Sequence, residues 1–483
     1  MLRRGGEKMK QLFFFLFIIF IIFYSSTIYH HLKKPLPRGL SMEGVIHQVK
    51  DVELLTDLTY KNNQKKRMVQ HEIINSMIKE VEKANEFIII DMFLFNKDTN
   101  EDQQYPKLVE KFTEVLIKKK QEKPMINIIF ITDKINTVYD SYPSEEFKQL
   151  KENGVKVIET ELNDLRDSNP LYSGFWCMFG QWLKTRGDGH LPNLLAKSAP
   201  KVTAISYLEL LNIKANHRKV IITETTAIIS SGNIHNASGY HSNAAFKVHG
   251  NILNELLKSE ESAARLSEPI DLPRIKEQAE SKSANVKIQL LTEGKIGKHI
   301  LQEIKNTKKS ETIWIGMLYL ADQKVIKEIK AAAKRDVRIY IILDPNQNAF
   351  GNKKIGLPNI PVVADLRKAK AAKNIHIKWY NTGKEQFHPK LLYIERLKDR
   401  ESIIISGSAN LTQRNLYDFN LETDIKIIAN HKEKIMRETK TYFQKLWGNE
   451  QALFTKGVDK QKNFPMFRYI IYRLQRILGF TTY

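Results

Sequence analysis

The stretch HRKVIITETTAIISSGN, residues 217–233, returns later in the chain as HPKLLYIERLKDRESIIISGSAN, residues 388–410. Both copies read His-x-Lys, four residues, Glu, then an apolar run that closes on Ser-x-Asn. A single His-x-Lys carries little in a chain with 13 histidines. Two copies with the same sequel, in register inside a longer repeat, carry much more. The apolar residues after each Lys predict strands. Residues i and i+2 of a strand face one side, so His217 and Lys219 project together, as do His388 and Lys390. The strand that follows delivers Ser231 and Asn233 in one copy, and Ser408 and Asn410 in the other, to the same end.

The repeat extends outward from these motifs. VELLTD at 52–57 matches IQLLTE at 288–293. Each precedes a stretch with helical apolar spacing, carried by Ile73, Ile74, Met77, Ile78 and Val81 in one case and by Ile300, Leu301 and Ile304 in the other. A buried-strand pattern comes next, FIIIDMFLF from Phe87 and TIWIGMLYL from Thr312, then INIIFITD ending at Asp133 and VRIYIILD ending at Asp344. Strands alternating with helices predict mostly parallel sheets covered on both faces. From Asp133 to His217 is 84 positions and from Asp344 to His388 is 44, so the first half carries an extra segment, placed at about 162–200. The polar stretch 258–285 reads as a linker. The expected divisions are 1–34, 44–257, 258–285, 286–448 and 463–483.

The ends and the composition point to a surface rich in anions. With 76 Lys+Arg against 54 Asp+Glu the formal net charge is +22, and 42% of residues are hydrophobic. The charge suits nucleic acid, anionic lipid headgroups or phosphorylated substrates. An apolar run from Leu12 to Phe23, extended to Tyr29, has Arg3, Arg4, Lys8 and Lys10 before it and Lys33 and Lys34 after it. As a helix it spans roughly 27 Å, close to a bilayer core. With no small-x-small cleavage site after it, it reads as an uncleaved signal anchor with the bulk of the chain outside the cytoplasm. The insertion contains GFWCMFGQWLK, residues 174–184, suited to an acyl-chain groove or to the membrane interface; a packed helix is the alternative. In NFPMFRYIIYRLQRILGF, residues 463–480, three arginines punctuate apolar residues, as in an amphipathic helix on an anionic membrane, or a helix docked on the body. The single cysteine, Cys177, leads to the expectation of no intrachain disulfide and no Cys-based metal site. No metal-ligand cluster stands out, and no metal or cofactor is expected.

Two imidazoles, two ammonium groups and two amides around one pocket suit a phosphodiester. The lysines and amides hold non-bridging oxygens and stabilise charge in the transition state. One histidine attacks phosphorus and the other moves the leaving-group proton.

These paired motifs resemble the signature of the phospholipase D superfamily, His-x-Lys, four residues, Asp, six residues, Gly-Ser-x-Asn. The resemblance runs from about Val52 to Trp447 and is closest in kind to cardiolipin synthases and other phosphatidyl transferases. It implies an α/β fold of two similar lobes with mixed, mostly parallel sheets about a pseudo-two-fold, to which the apolar N-terminal run adds a transmembrane helix. It implies a metal-independent phosphohistidine mechanism, with His217, Lys219, Asn233, His388, Lys390 and Asn410 catalytic. Supporting positions are Glu224, Ser231, Glu395 and Ser408. By family habit His217 is the nucleophile and His388 the acid and base. Three departures stand out. Glu224 and Glu395 replace Asp. Ser230 stands where Gly is usual, while Gly407 is kept. An acid after the second Ser-x-Asn turn, Glu422, supports a catalytic histidine, whereas the matching first-half stretch SNAAF has none. The expected substrate is a membrane phospholipid, met at an anionic membrane surface, with no obligate protein partner. A membrane-tethered nuclease and a non-catalytic lipid-binding scaffold are the competing readings.

Overall fold

The computed structural model describes residues 2–100, 104–183, 189–277, 279, 284–349, 352–397, 400–458 and 466–478. Two nine-stranded sheets dominate it. The first runs, in spatial order, Ala452–Leu453, Glu53–Asn62, Asn243–Val248, Ala227–Ser230, Lys219–Thr223, Phe87–Met92, Asn127–Asp133 and Lys156–Thr160, with Arg67–His71 paired beside Glu53–Asn62. The second runs His47–Val49, Val286–Thr292, Thr423–Ala429, Ser402–Gly407, Lys390–Glu395, Thr312–Met317, Arg338–Leu343, Ile375–Tyr380 and Thr455–Gly457. The seven repeated strands occupy the same order in both. The sequence repeat is thus a repeat of topology.

Alternation along these strands divides the core. In the first sheet Ile89, Ile131, Val220, Ile222, Ile229 and Phe246 face a central core that also holds Leu391, Tyr393, Ile404, Ile425 and Ile427 of the second sheet. Their neighbours Ile88, Ile90, Ile221 and Ile228 turn outward to the helices Glu72–Lys83, Leu108–Glu122 and Glu145–Glu152. On the far side Leu392, Ile394, Ile403 and Ile405 turn to the helices Gly294–Lys305 and Gln323–Lys334. Each sheet therefore has helices on its outer face, and its inner face meets the central core, where the helices Ile252–Ala264 and Lys434–Gly448 pack together with the other sheet. Both sheets are covered on both faces, as expected. The near-continuous apolar strands signalled two buried faces without saying what covers each.

Both sheets are mixed, but antiparallel pairs predominate. Among the described strands, Asn127–Asp133 pairs in parallel with Phe87–Met92 on one side and Lys156–Thr160 on the other, and Arg338–Leu343 does so with Thr312–Met317 and Ile375–Tyr380. Short connections such as Glu224–Thr226 join the strands around the His-x-Lys motifs, and a short connection permits only an antiparallel neighbour.

The halves also exchange edge strands. His47–Val49 pairs with Val286–Ile288 of the second sheet, and Ala452–Leu453 pairs with Lys61–Asn62 of the first. Each covers an edge that would otherwise offer unpaired backbone. Hence the first half does not begin its own sheet at residue 44. The linker does not begin at Lys258 either, because the helix Ile252–Ala264 continues to Ala264, packing Leu253, Leu256, Leu257 and Ala264 into the central core.

The N-terminal helix Leu2–Lys33 leaves Leu12–Phe23 uncovered, and its segment Lys8–Lys33 is long and apolar enough to cross a membrane. Its C-terminal end docks on the insertion. Ile28 and Tyr24 pack against Gly174 of the helix Pro170–Met178, and the Lys34 ammonium donates to Asn163 O at 2.7 Å. In the insertion Trp176 is buried while Phe175, Phe179, Trp182 and Leu183 are exposed. Residues 184–188 of the insertion, and 463–465 and 479–483 of the C-terminal segment, lie outside the described residues. The helix Met466–Leu478 docks through Tyr472, whose hydroxyl accepts from Gln323 Nε2 at 3.1 Å, and leaves Phe467, Ile470 and Leu474 exposed.

Candidate active site

Both His-x-Lys motifs end up at the junction of the sheets, and a reciprocal pair of backbone bridges brings them together. The His217 amide donates to Leu421 O at 2.9 Å, and the His388 amide donates to Ser242 O at 2.8 Å. Each histidine is thus seated against the last strand of the opposite half. His217, His388, Asn233 and Asn410 all line one cavity of about 930 Å³.

The partners of the two rings differ. His217 Nδ1 lies 3.0 Å from Glu422 Oε2. A carboxylate only accepts, so the proton sits on Nδ1 and Nε2 keeps its lone pair. His388 Nδ1 lies 3.1 Å from Asn243 Oδ1. Asn243 Nδ2 donates to His241 O at 3.3 Å, which directs its oxygen to the ring. Asn243 therefore occupies, in SNAAF, the position that Glu422 holds in the second half. Burial pushes His217 down to about 4 against the opposing pull of Glu422. Burial, joined by the Lys390 charge, pushes His388 well down. Glu422 is fully buried. Burial alone would raise it, but the charges of His217 and Lys219 and the hydrogen bond from Ser408 hold it below the usual carboxylate range.

The two lysines stand behind the histidines. Lys219 Nζ donates to His217 O at 2.6 Å, and Lys390 Nζ donates to His388 O at 2.9 Å and lies 2.9 Å from His388 Nε2. Both are fully buried. Burial pushes Lys219 down to about 7, and burial with the Lys219 charge pushes Lys390 well down. Two ammonium groups this dry are stabilised by any anion entering the cavity.

The Ser-x-Asn turns are built alike with one exchange. Ser231 and Ser408 each pair by backbone with the facing strand, to Ala244 and Thr423, and their hydroxyls accept from the amides of the same two residues at 3.0 Å. In the second half Asp424 Oδ1 accepts from the Ala409 amide at 3.0 Å. In the first half the matching residue is Ala245, and the Ser230 hydroxyl accepts from the Gly232 amide at 2.9 Å. The departure at Ser230 is thus compensated locally.

Glu224 and Glu395 do not reach the cavity. Glu224 accepts from the Asn85 amide at 2.7 Å, and Glu395 pairs with Lys440 at 2.6 Å. Five residues along a strand from the lysine is about 17 Å, so these carboxylates brace the opposite ends of their strands.

Sequence reasoning missed several residues around the motifs. Asp133 Oδ2 accepts from the Asn216 amide at 2.6 Å, and Asp344 Oδ2 accepts from the Phe387 amide at 2.7 Å. Each Asp holds the residue just before a histidine, and burial pushes both up to about 7. Their signal was present as the matched Asp ending INIIFITD and VRIYIILD. Arg414, Tyr139, Tyr319 and Lys214 also line the cavity; nothing in the sequence singles them out. Glu293 links the halves. It accepts from Arg218 Nη2 at 2.7 Å and from the Glu422 amide at 3.1 Å.

Residues 300–447 match the family model described as "Cardiolipin synthase, PLD-like domain". The fold is similar to the crystal structure of phosphatidylserine synthase from Haemophilus influenzae Rd KW20, with a TM-score of 0.57 at 10% identity over 91% of this chain and 95% of that one. Polyphosphate kinase from Porphyromonas gingivalis gives a TM-score of 0.44 at 11% identity over 89% of this chain and 53% of that one. Nuc from Salmonella typhimurium, a phospholipase D family member, gives 0.28 at 17% identity over 36% of this chain and 98% of that one. No curated protein sequence matches the chain.

Proposed function

We propose that this chain, a member of the phospholipase D superfamily, cleaves or transfers the phosphodiester of a membrane phospholipid through a phosphohistidine. The observation that carries this reading is the meeting of His217 and His388, from opposite halves, on one cavity with Asn233 and Asn410. In the first step His217 Nε2 bonds to phosphorus while the bond from phosphorus to the headgroup oxygen breaks. That oxygen leaves with a proton from His388. In the second step His388 takes the proton of a water or an alcohol, whose oxygen bonds to phosphorus as the phosphorus–nitrogen bond breaks. Water yields phosphatidate and an alcohol yields a new phosphodiester. Lys219, Lys390 and the two asparagines stabilise the phosphoryl oxygens, and negative charge arriving among them restores the charged state of the lysines and of His388.

Two surfaces support a lipid. Phe93, Leu94 and Ile135 are shared with an adjoining cavity of about 740 Å³ whose walls include Val138, Leu195 and Ala196; it is suited to acyl chain. The exposed Phe175 lies on the helix Pro170–Met178, which packs against the N-terminal helix, and the exposed Phe179, Trp182 and Leu183 follow it in the chain; Trp favours the membrane interface. In this reading that helix anchors the chain and the catalytic body lies outside the cytoplasm.

The test is incubation of the detergent-purified protein with labelled phosphatidylglycerol and identification of the products. Phosphatidate or diphosphatidylglycerol, lost in His217→Ala and in His388→Ala, is the expected result. Cleavage of oligonucleotides in place of lipid would establish the nuclease reading, and no turnover of either would establish the scaffold.

A further inference from the structure

Away from the catalytic cavity, three side chains from three segments converge where the N-terminal helix meets the insertion. His31 closes the helix Leu2–Lys33, Cys177 lies on the helix Pro170–Met178, and Asp167 lies on the loop before it. His31 Nδ1 is 3.5 Å from Asp167 Oδ2 and 3.6 Å from Cys177 Sγ, and Cys177 Sγ is 3.9 Å from Asp167 Oδ2.

These separations match a coordination shell. Tetrahedral zinc with bonds of ~2.0–2.3 Å places nitrogen and oxygen donors about 3.4 Å apart and sulfur about 3.6 Å from either. The surroundings also fit. Asp167 is buried, and Lys214 Nζ lies 2.7 Å from its other oxygen, Oδ1. A cation bonded to the free oxygen of a ligating carboxylate orients the ligating one. His31 and Cys177 face a small cavity whose walls also include Asn163 and Gln181. That cavity leaves room for a water as the fourth ligand.

We propose that His31, Asp167 and Cys177 bind a zinc ion that ties the N-terminal helix to the catalytic body. Binding sends the Cys177 thiol proton to solvent. The thiolate and the Asp167 carboxylate then balance the charge of the ion, with Lys214 as the outer partner. The insertion, which has no counterpart in the second half, thereby gains a role as a clamp, and the N-terminal helix acquires a fixed exit direction. His31, Asp167 and Cys177 do not line the catalytic cavity, which only their outer partner Lys214 reaches, so the clamp stands or falls separately from the proposed reaction.

The test uses the full chain in detergent, stripped of metal by a chelator that is then removed, and titrated with cobalt(II). The expected result is a saturable one-to-one step with tetrahedral visible bands and a near-ultraviolet thiolate-to-cobalt band, displaced by zinc. Cys177 is the single cysteine of the chain, so that band has one possible source. It is expected to vanish in Cys177→Ser, and the one-to-one step is expected to be lost in His31→Ala and Asp167→Asn, with circular dichroism confirming that each variant is folded. A wild-type protein without the thiolate band overturns the proposal. So does a band unchanged in both His31→Ala and Asp167→Asn, which would report adventitious thiolate binding only.

Discussion

Glu422 and His217 lie 205 residues apart in the chain, yet the carboxylate oxygen Oε2 sits 3.0 Å from the ring nitrogen Nδ1. The contact fixes the imidazole tautomer and aims Nε2 into the cavity. It also holds a negative charge beside a ring that becomes cationic when phosphorylated. Glu422→Gln keeps the shape and removes the charge. We expect kcat to fall by up to about 10⁴-fold, the size of effect when the orienting acid of a Ser-His-Asp triad is neutralised, with KM little changed. Steady-state kinetics on phospholipid vesicles measures this. A loss of less than tenfold would mean that Glu422 only fills space.

The unequal partners, Glu422 for His217 and Asn243 for His388, imply unequal duties. A histidine backed by a carboxylate is the better nucleophile, and the other is left to carry protons. With a nitrophenyl phosphodiester the leaving group needs no proton. On that substrate His388→Ala is expected to retain formation of the phosphoenzyme while its breakdown slows, and His217→Ala is expected to form none. Rapid acid-free quenching and phosphohistidine detection distinguishes the two. The opposite pattern would exchange the roles.

Burial brings Lys219 down to about 7 and His217 to about 4. Lys219 is charged below its value and discharged above it, and His217 must be neutral to attack. Consequently kcat/KM, which reports the free enzyme, is expected to rise through about pH 4 as His217 loses its proton, and to decline at higher pH as His388, Lys390 and Lys219 discharge, the last through about pH 7. The decline in kcat should lie at higher pH, because a bound anionic phosphoryl group favours the charged lysine. A profile of kcat/KM flat to about pH 10, where an ordinary lysine titrates, would contradict the desolvated site.

The C-terminal helix presents one docked side and one exposed apolar side. Tyr472 docks it, while Phe467, Ile470 and Leu474 form an exposed apolar row. In protein lacking residues 1–34, replacing these three by Asp is expected to weaken binding to anionic vesicles in a flotation assay without lowering thermal stability. Unchanged flotation would leave the helix a docking element alone.

The repeat made both the fold and the core of the site legible, because duplicated His, Lys and Asn at duplicated spacing had to serve one structure. The pairing of strands was less legible. Alternating helices and strands suggested parallel sheets, but hairpins around the motifs made antiparallel neighbours. The edge pairing of His47–Val49 with Val286–Ile288 is nonlocal and leaves no periodic trace. Asp133 and Asp344 were visible as strand ends, yet their bonds to the residues before the histidines exist only once the sheet has formed. Asn243 was hidden by a search for an acid, since an amide oxygen also accepts from imidazole. The cluster of His31, Asp167 and Cys177 has no sequence spacing at all, as one ligand comes from the N-terminal helix.

The exchange between Ser230 and Gly407 offers a test of how the two halves diverged. A Cβ at Gly407 would lie 2.1 Å from Thr423 O and 2.5 Å from Asp424 Oδ1, so glycine is required where the aspartate caps the turn. Gly407→Ser is expected to cost ~1–3 kcal/mol from overpacking. Ser230→Gly removes the acceptor of the Gly232 amide and is expected to cost about 1 kcal/mol. Ala245→Asp alone buries a carboxylate against the Ser230 side chain and is expected to cost more. Combined, Ser230→Gly and Ala245→Asp rebuild the arrangement of the second half, with the new carboxylate capping Gly232. The double variant should therefore be more stable than the sum of the single losses by about 1 kcal/mol, within the range for residues in contact. A denaturant-unfolding double-mutant cycle reads this directly, and strict additivity would show that the turn is capped in some other way.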